Sequence, residues 1–153
     1  MQKKHKTVET LLDAIPHIKK FSGKTIVIKY GGSAQTSPEL QEKFAEDIVL
    51  LKLVGMNPVI VHGGGARISE LLNKLEIHSE FVEGHRVTSK ETMRVVEMVL
   101  SGEINKNITS LLNYHGAKAI GISGKDSAMI KAQAKEDGKF GYTGVITSIN
   151  AQM

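Results

Sequence analysis

Two short apolar runs, each breaking off into glycines and each followed by a segment of helical periodicity, limit what this chain can fold into. "TIVIKY" (residues 25–30) is rich in β-branched residues and apolar on both faces for most of its length, the pattern of a central strand covered on both sides. It ends at Gly31 and Gly32. Ser37 and Pro38 then suit an N-cap and first helical position, and "ELQEKFAEDIVLLKLVG" places Leu40, Phe44, Ile48 and Leu51 on one stripe that stops at Gly55. The pattern recurs: an apolar strand at residues 58–62 runs into Gly63, Gly64 and Gly65, and "ARISELLNKLEI" is a second amphipathic helix. Strands alternating with helices mean an α/β fold with a mainly parallel sheet and right-handed crossovers.

The flanking segments fit this frame. Residues 7–21 carry Val8, Leu11, Leu12, Ile15, Ile18 and Phe21 at helical spacing, with Pro16 expected to bend the helix. "EFVEGHRV" reads as a short strand pair turning at Glu83 and Gly84. Thr88 and Glu91 have capping-box spacing ahead of the helix "SKETMRVVEMVLSG", and a further helix, "EINKNITSLLNYHG", ends at Gly116. "AKAIGIS" is expected as a third buried strand, and residues from Ala128 onward as a hairpin around "EDGK".

The glycine clusters are the first functional signal. In open α/β sheets ligands bind beyond the carboxyl ends of the strands, so both loops are expected on one rim. Bare amides there, followed by a helix N-terminus, suit an anion. Lys29, near the end of an apolar strand, must be solvated, paired or aimed at a ligand, because a buried unpaired ammonium is costly. Beside Gly31 and Gly32 it is placed to hold a phosphoryl group as a point charge. Arg86, in a loop after a predicted strand, offers a planar fork for carboxylate or phosphate.

Other classes are excluded by what they would need. The P-loop pattern fails at "AIGISGKDS", the dinucleotide fingerprint fails at "GGGARI" where the sixth residue is Ile68, and no G-x-S-x-G elbow is present. His62, His78 and His85 lack zinc-ligand spacing, so no metal ligand is assigned. A net charge of +4 comes from scattered residues with few aromatics, which argues against nucleic acid. No apolar run approaches the roughly 18 residues of a membrane helix, and the polar start "MQKKHKTVET" lacks a secretory apolar segment. With no cysteine, the chain suits a reducing compartment, and a cytoplasmic location is expected.

"KTIVIKYGGSA", "LLKLVGMNPVIVHGGG", "EFVEGHRVTSKETMRVVEMVLSGEINKNI" and "AIGISGKD" together resemble the amino acid kinase family, and within it the acetylglutamate kinases. The resemblance implies the amino-terminal lobe of a three-layer αβα sandwich with a mainly parallel central sheet. It implies a kinked helical extension over residues 1–22 and an N-acetylglutamate-binding lobe over residues 23–153, without the nucleotide-binding lobe. The implied reaction is ATP-dependent phosphorylation of the side-chain carboxylate of N-acetyl-L-glutamate in arginine biosynthesis, with Mg2+ accompanying ATP. Lys29 would stabilise the phosphoryl group in flight, Gly31 and Gly32 would face the phosphates, Gly64 and Gly65 would bind the substrate, and Arg86 would grip its α-carboxylate. A homodimer through this lobe, and a hexamer through the N-terminal helix, are the implied assemblies. The alternative is a truncated, non-catalytic module that binds acidic amino acids or pairs subunits.

Overall fold

The computed structural model describes residues 2–32 and 37–152, with side chains from Lys6 onward. Residues 33–36 of the first glycine loop lie outside the described residues. The chain divides into two compact units, one of residues 1–62 with 111–118, the other of residues 63–110 with 119–153.

The first unit begins with helix α1 (Gln2–Phe21), which runs through Pro16 and starts earlier than the periodicity predicts. Its apolar stripe of Val8, Leu11, Leu12 and Ile15 is exposed. Strands β1 (Thr25–Tyr30) and β2 (Asn57–His62) pair in parallel, with Val27 opposite Val59 and Lys29 opposite Val61. Between them lies α2 (Pro38–Leu53); Ser37 takes the N-cap position, as expected, but makes no side-chain capping bond. Tyr30 stacks on Phe44 of α2 at 4.0 Å between ring centroids. Ala45, Ile48 and Met56 are buried, whereas Leu40 of the expected stripe is exposed.

Alternation along the two strands separates their faces. Ile26, Ile28 and Tyr30 are covered, while Val27 remains 68% and Val61 52% exposed. The expectation of a strand buried on both faces is therefore corrected: α2 covers one face, and the second is open to solvent. The third strand is absent as well. Residues 117–123 form no ladder, and Ile120 is exposed. The carbonyls of Gly121 and Ile122 instead accept from Lys106 Nζ at 2.9 Å and Asn105 Nδ2 at 3.3 Å, side-chain bonds in place of a strand's backbone ones.

In the second unit, helix α3 (Gly65–Lys74) packs Ile68 and Leu72 against Val95 and Val99 to form the core. Strands β3 (Phe81–Val82) and β4 (His85–Arg86) make the expected antiparallel pair. Glu83 and Gly84, at φ 52° and 78°, supply the positive-φ pair that a tight two-residue turn requires. The cap of α4 (Lys90–Glu97) is Ser89, not Thr88: Ser89 Oγ accepts from the Thr92 amide at 3.0 Å. Thr88 is buried and donates instead to the Arg86 carbonyl, which takes it out of capping. The two predicted helices are continuous. A π-helical segment (Met98–Ile104) carries α4 into α5 (Asn105–Tyr114), with Gly102 inside it rather than ending a helix. Strands β5 (Ile130–Ala134) and β6 (Gly144–Ile149) form the predicted hairpin. Its connecting segment is anchored at Phe140, fully buried, whose carbonyl accepts from the Thr88 amide at 3.1 Å.

Candidate functional site

β1 and β2 run in register to their carboxyl ends, where Tyr30 lies opposite His62. Gly31 and Gly32 continue one strand and Gly63 continues the other, so the two glycine loops leave the pair from the same end. Lys29 sits one residue before that end, on the open face and opposite to Tyr30, with its side chain exposed and no ion pair among the described residues. Among the described residues, nothing lies within 4 Å of where a Cβ would stand on Gly31 or Gly32. The ammonium and the bare backbone are thus both accessible to an anion.

In the second unit, Gly64 is the N-cap of α3 and Gly65 its first residue. The first intrahelical bond runs from the Ile68 amide to the Gly64 carbonyl, leaving the amides of Gly65, Ala66 and Arg67 outside the helical ladder. No acidic residue occupies that first turn. The two glycines differ. A Cβ on Gly64 would overlap Ile104 and come within 2.9 Å of Leu100, whereas one on Gly65 would meet open space. Gly64 thus lies against the ends of two side chains of the π-helical segment, and Gly65 leaves room at the helix N-terminus.

Arg86 is built into this end of α3. It lies opposite Phe81 in the β3–β4 ladder, and its guanidinium stands 4.4 Å over the Phe81 ring. Nη1 donates to Ser79 Oγ at 2.9 Å and Nη2 to Ser69 Oγ at 2.7 Å. Ser69 Oγ donates in turn to the Gly65 carbonyl at 3.1 Å. The Arg86 carbonyl is held from the other side by the hydroxyls of Thr88 and Thr143. Partial burial pulls the guanidinium below its usual pKa, and no carboxylate pairs with it among the described residues. Arg67 is the contrast, since Glu103 and Glu70 grip it at 2.7 and 2.9 Å and raise its pKa.

The structure therefore brings Gly64, Gly65 and Arg86 together in one unit and Lys29, Gly31 and Gly32 together in the other. Ser69, Ser79 and Phe81 were not singled out from sequence. Phe81 was within reach, because a two-residue turn at Glu83 and Gly84 sets it opposite Arg86. Ser69 lies four residues after Gly65, one helical turn along, but a lone serine in a helix carries no signal of its own. Among the described residues no group of three or more His, Asp or Glu side chains is placed to hold a metal, and no helix is long and apolar enough to cross a membrane.

Residues 24–153 match the model of the Amino acid kinase family. The chain belongs to that family. This amino acid kinase chain is 77% identical over 146 residues to acetylglutamate kinase of Aliarcobacter butzleri, covering 95% of the chain and 48% of the relative. It is 67% identical over 153 residues to acetylglutamate kinase of Sulfurimonas denitrificans, covering 100% and 54%. The chain thus spans about half the length of the curated relatives it matches. The crystal structure of N-acetylglutamate synthase from Neisseria gonorrhoeae complexed with coenzyme A and N-acetyl-glutamate superposes with a TM-score of 0.72 at 23% identity, over 93% of this chain and 32% of that one, a likeness of fold.

Proposed function

We propose that this amino acid kinase chain is the acyl-amino-acid half of an acetylglutamate kinase, acting in the cytoplasm in arginine biosynthesis. Residues 23–153 form the lobe that binds N-acetyl-L-glutamate, and residues 1–22 form a helical extension whose exposed apolar stripe suits pairing with further subunits, in a dimer or a hexamer. The observation that carries the reading is the half-buried, carboxylate-free guanidinium of Arg86, bonded through Ser69 to the glycine at the N-terminus of α3. A small dicarboxylate fits that arrangement: Arg86 takes its α-carboxylate through the planar fork, and Gly64 and Gly65 lie beside the acyl-amino portion.

The side-chain carboxylate oxygen attacks the γ-phosphorus of ATP in line, the bond to the bridging oxygen of ADP breaks, and an acyl phosphate forms. Lys29 meets the charge on the phosphoryl oxygens in flight, and the amides of Gly31 and Gly32 face the phosphates. No covalent enzyme intermediate is needed, so the residues contribute position and charge. Magnesium enters with the nucleotide as part of the substrate. The described residues offer no carboxylate cluster to hold it.

Calorimetry of the chain with N-acetyl-L-glutamate, with L-glutamate, and with an Arg86→Ala control tests the reading. Binding of the acetylated compound, lost in the control, is the expected result. Preference for free glutamate would overturn the substrate assignment.

A further inference from the structure

We infer that Ser69 and Ser79 are positioning residues for Arg86, which hold its guanidinium over Phe81 and register it with the N-terminus of α3 while leaving its charge open to an anion. That an acidic amino acid is the anion rests on the function proposed above; the positioning itself does not.

An arginine fork is usually fixed by carboxylates, as Arg67 is by Glu70 and Glu103. That solution orients the group and neutralises it together. Arg86 is fixed by two hydroxyls, one on each terminal nitrogen, at 2.9 and 2.7 Å. Hydroxyl oxygens accept these bonds without carrying a net charge, so orientation is gained and the positive charge is kept. The Ser69 rotor is set as well: because its hydrogen points to the Gly65 carbonyl, its lone pairs face Nη2. Ser69 therefore ties the position of the guanidinium to that of the glycine at the helix end. The Phe81 ring stands 4.4 Å from the guanidinium carbon, and among the described residues nothing accepts from Nε or the remaining terminal hydrogens, which leaves them for a ligand. Pre-orienting a charged fork in this way removes ordering cost from binding.

The test uses the full chain labelled with 15N. It has three arginines, Arg67, Arg86 and Arg94, so the guanidinium spectrum is small and Arg86→Lys assigns its signals. Slow rotation of the Arg86 terminal nitrogens, as for carboxylate-held Arg67, is expected in the unaltered chain. In Ser69→Ala/Ser79→Ala the Arg86 signals should average while those of Arg67 persist, which reports that the variant is folded. Averaged Arg86 signals in the unaltered chain, or slow signals that survive the double substitution, would overturn the inference. A titration with N-acetyl-L-glutamate on the same samples separates the two readings. About tenfold weaker binding in the double variant is expected. Unaltered affinity despite averaged signals would remove the positioning role. Failure of the unaltered chain to bind, with the rotational change still present, would count against the proposed substrate and leave the positioning established.

Discussion

Arg86 Nη2 lies 2.7 Å from Ser69 Oγ, and nothing in that contact cancels the arginine's charge. The pair decides what substitutions at Arg86 should do. A partly buried guanidinium without a carboxylate gains little Coulomb energy to offset its desolvation. Arg86→Met should therefore change unfolding stability by no more than about 1 kcal/mol while removing binding of an acidic ligand. Ser69→Asp should do the reverse of freeing the charge, pairing Arg86 internally and weakening binding by more than tenfold. Urea unfolding and calorimetry on the same variants check both statements. A large loss of stability in Arg86→Met would mean the arginine is chiefly a structural post.

The adjacent glycines of the α3 end should separate in a second way. A Cβ on Gly64 would press on the terminal methyls of Ile104 and Leu100, which can turn aside, so Gly64→Ala should cost about 1 kcal/mol, the low end for overpacking. Gly65→Ala meets open space and should leave stability nearly unchanged, yet place a methyl where the ligand approaches. Equal urea midpoints for the two variants would contradict this division.

Glu70 gives the chain an acid-sensitive contact. Hydrogen bonds from Lys74, and then from Arg67, hold its carboxyl at about 2, against an ordinary value of 4.5. The folded pKa is the lower one, so the stabilisation is fully present above about 4.5 and is lost as the pH falls towards 2. Glu70 and Lys74 are exposed and Arg67 is only partly covered, so the effect is modest and screened by salt. The gap in urea midpoint between the native chain and Glu70→Gln should be open at neutral pH and close through that window. A gap that does not change with pH would exclude the carboxylate as its source.

Elements whose pattern is local are legible in the sequence. The parallel β1 and β2, the helices between and after them, the turn at Glu83 and Gly84, and the β5–β6 hairpin all follow from periodicity and turn chemistry over a few residues. Features settled by distant partners were not. Thr88 has the spacing of a cap, but Arg86 and Thr143 engage its hydroxyl, and Ser89 caps α4 one residue later. Gly102 reads as a helix end, yet the π-helical segment runs over it. The apolar run at 25–30 signals two buried faces, but only the face towards α2 is covered. In the site, Lys29, the glycines and Arg86 stood out by residue type beside strand ends. Ser69 and Ser79 did not, since what they do depends on a hairpin and a helix end meeting in space.

The segment expected as a third strand yields the last prediction. Gly121 has no room for a side chain: a Cβ would overlap Asn105 Oδ1 and lie 2.6 Å from Thr109 Oγ1. Asn105 is buried, its Nδ2 donates to the Ile122 carbonyl at 3.3 Å, and its Oδ1 accepts from Lys106 Nζ at 3.0 Å. Displacing it would strip partners from a buried amide, which costs about 1–3 kcal/mol. Gly121→Ala should therefore destabilise the chain by that order, and Asn105→Ala should do so by a similar amount. Because both act on one contact, the double variant should be less destabilised than the sum of the two. Urea unfolding of the four proteins in this cycle measures the coupling. Strict additivity would mean that residues 121–122 are held by something other than Asn105.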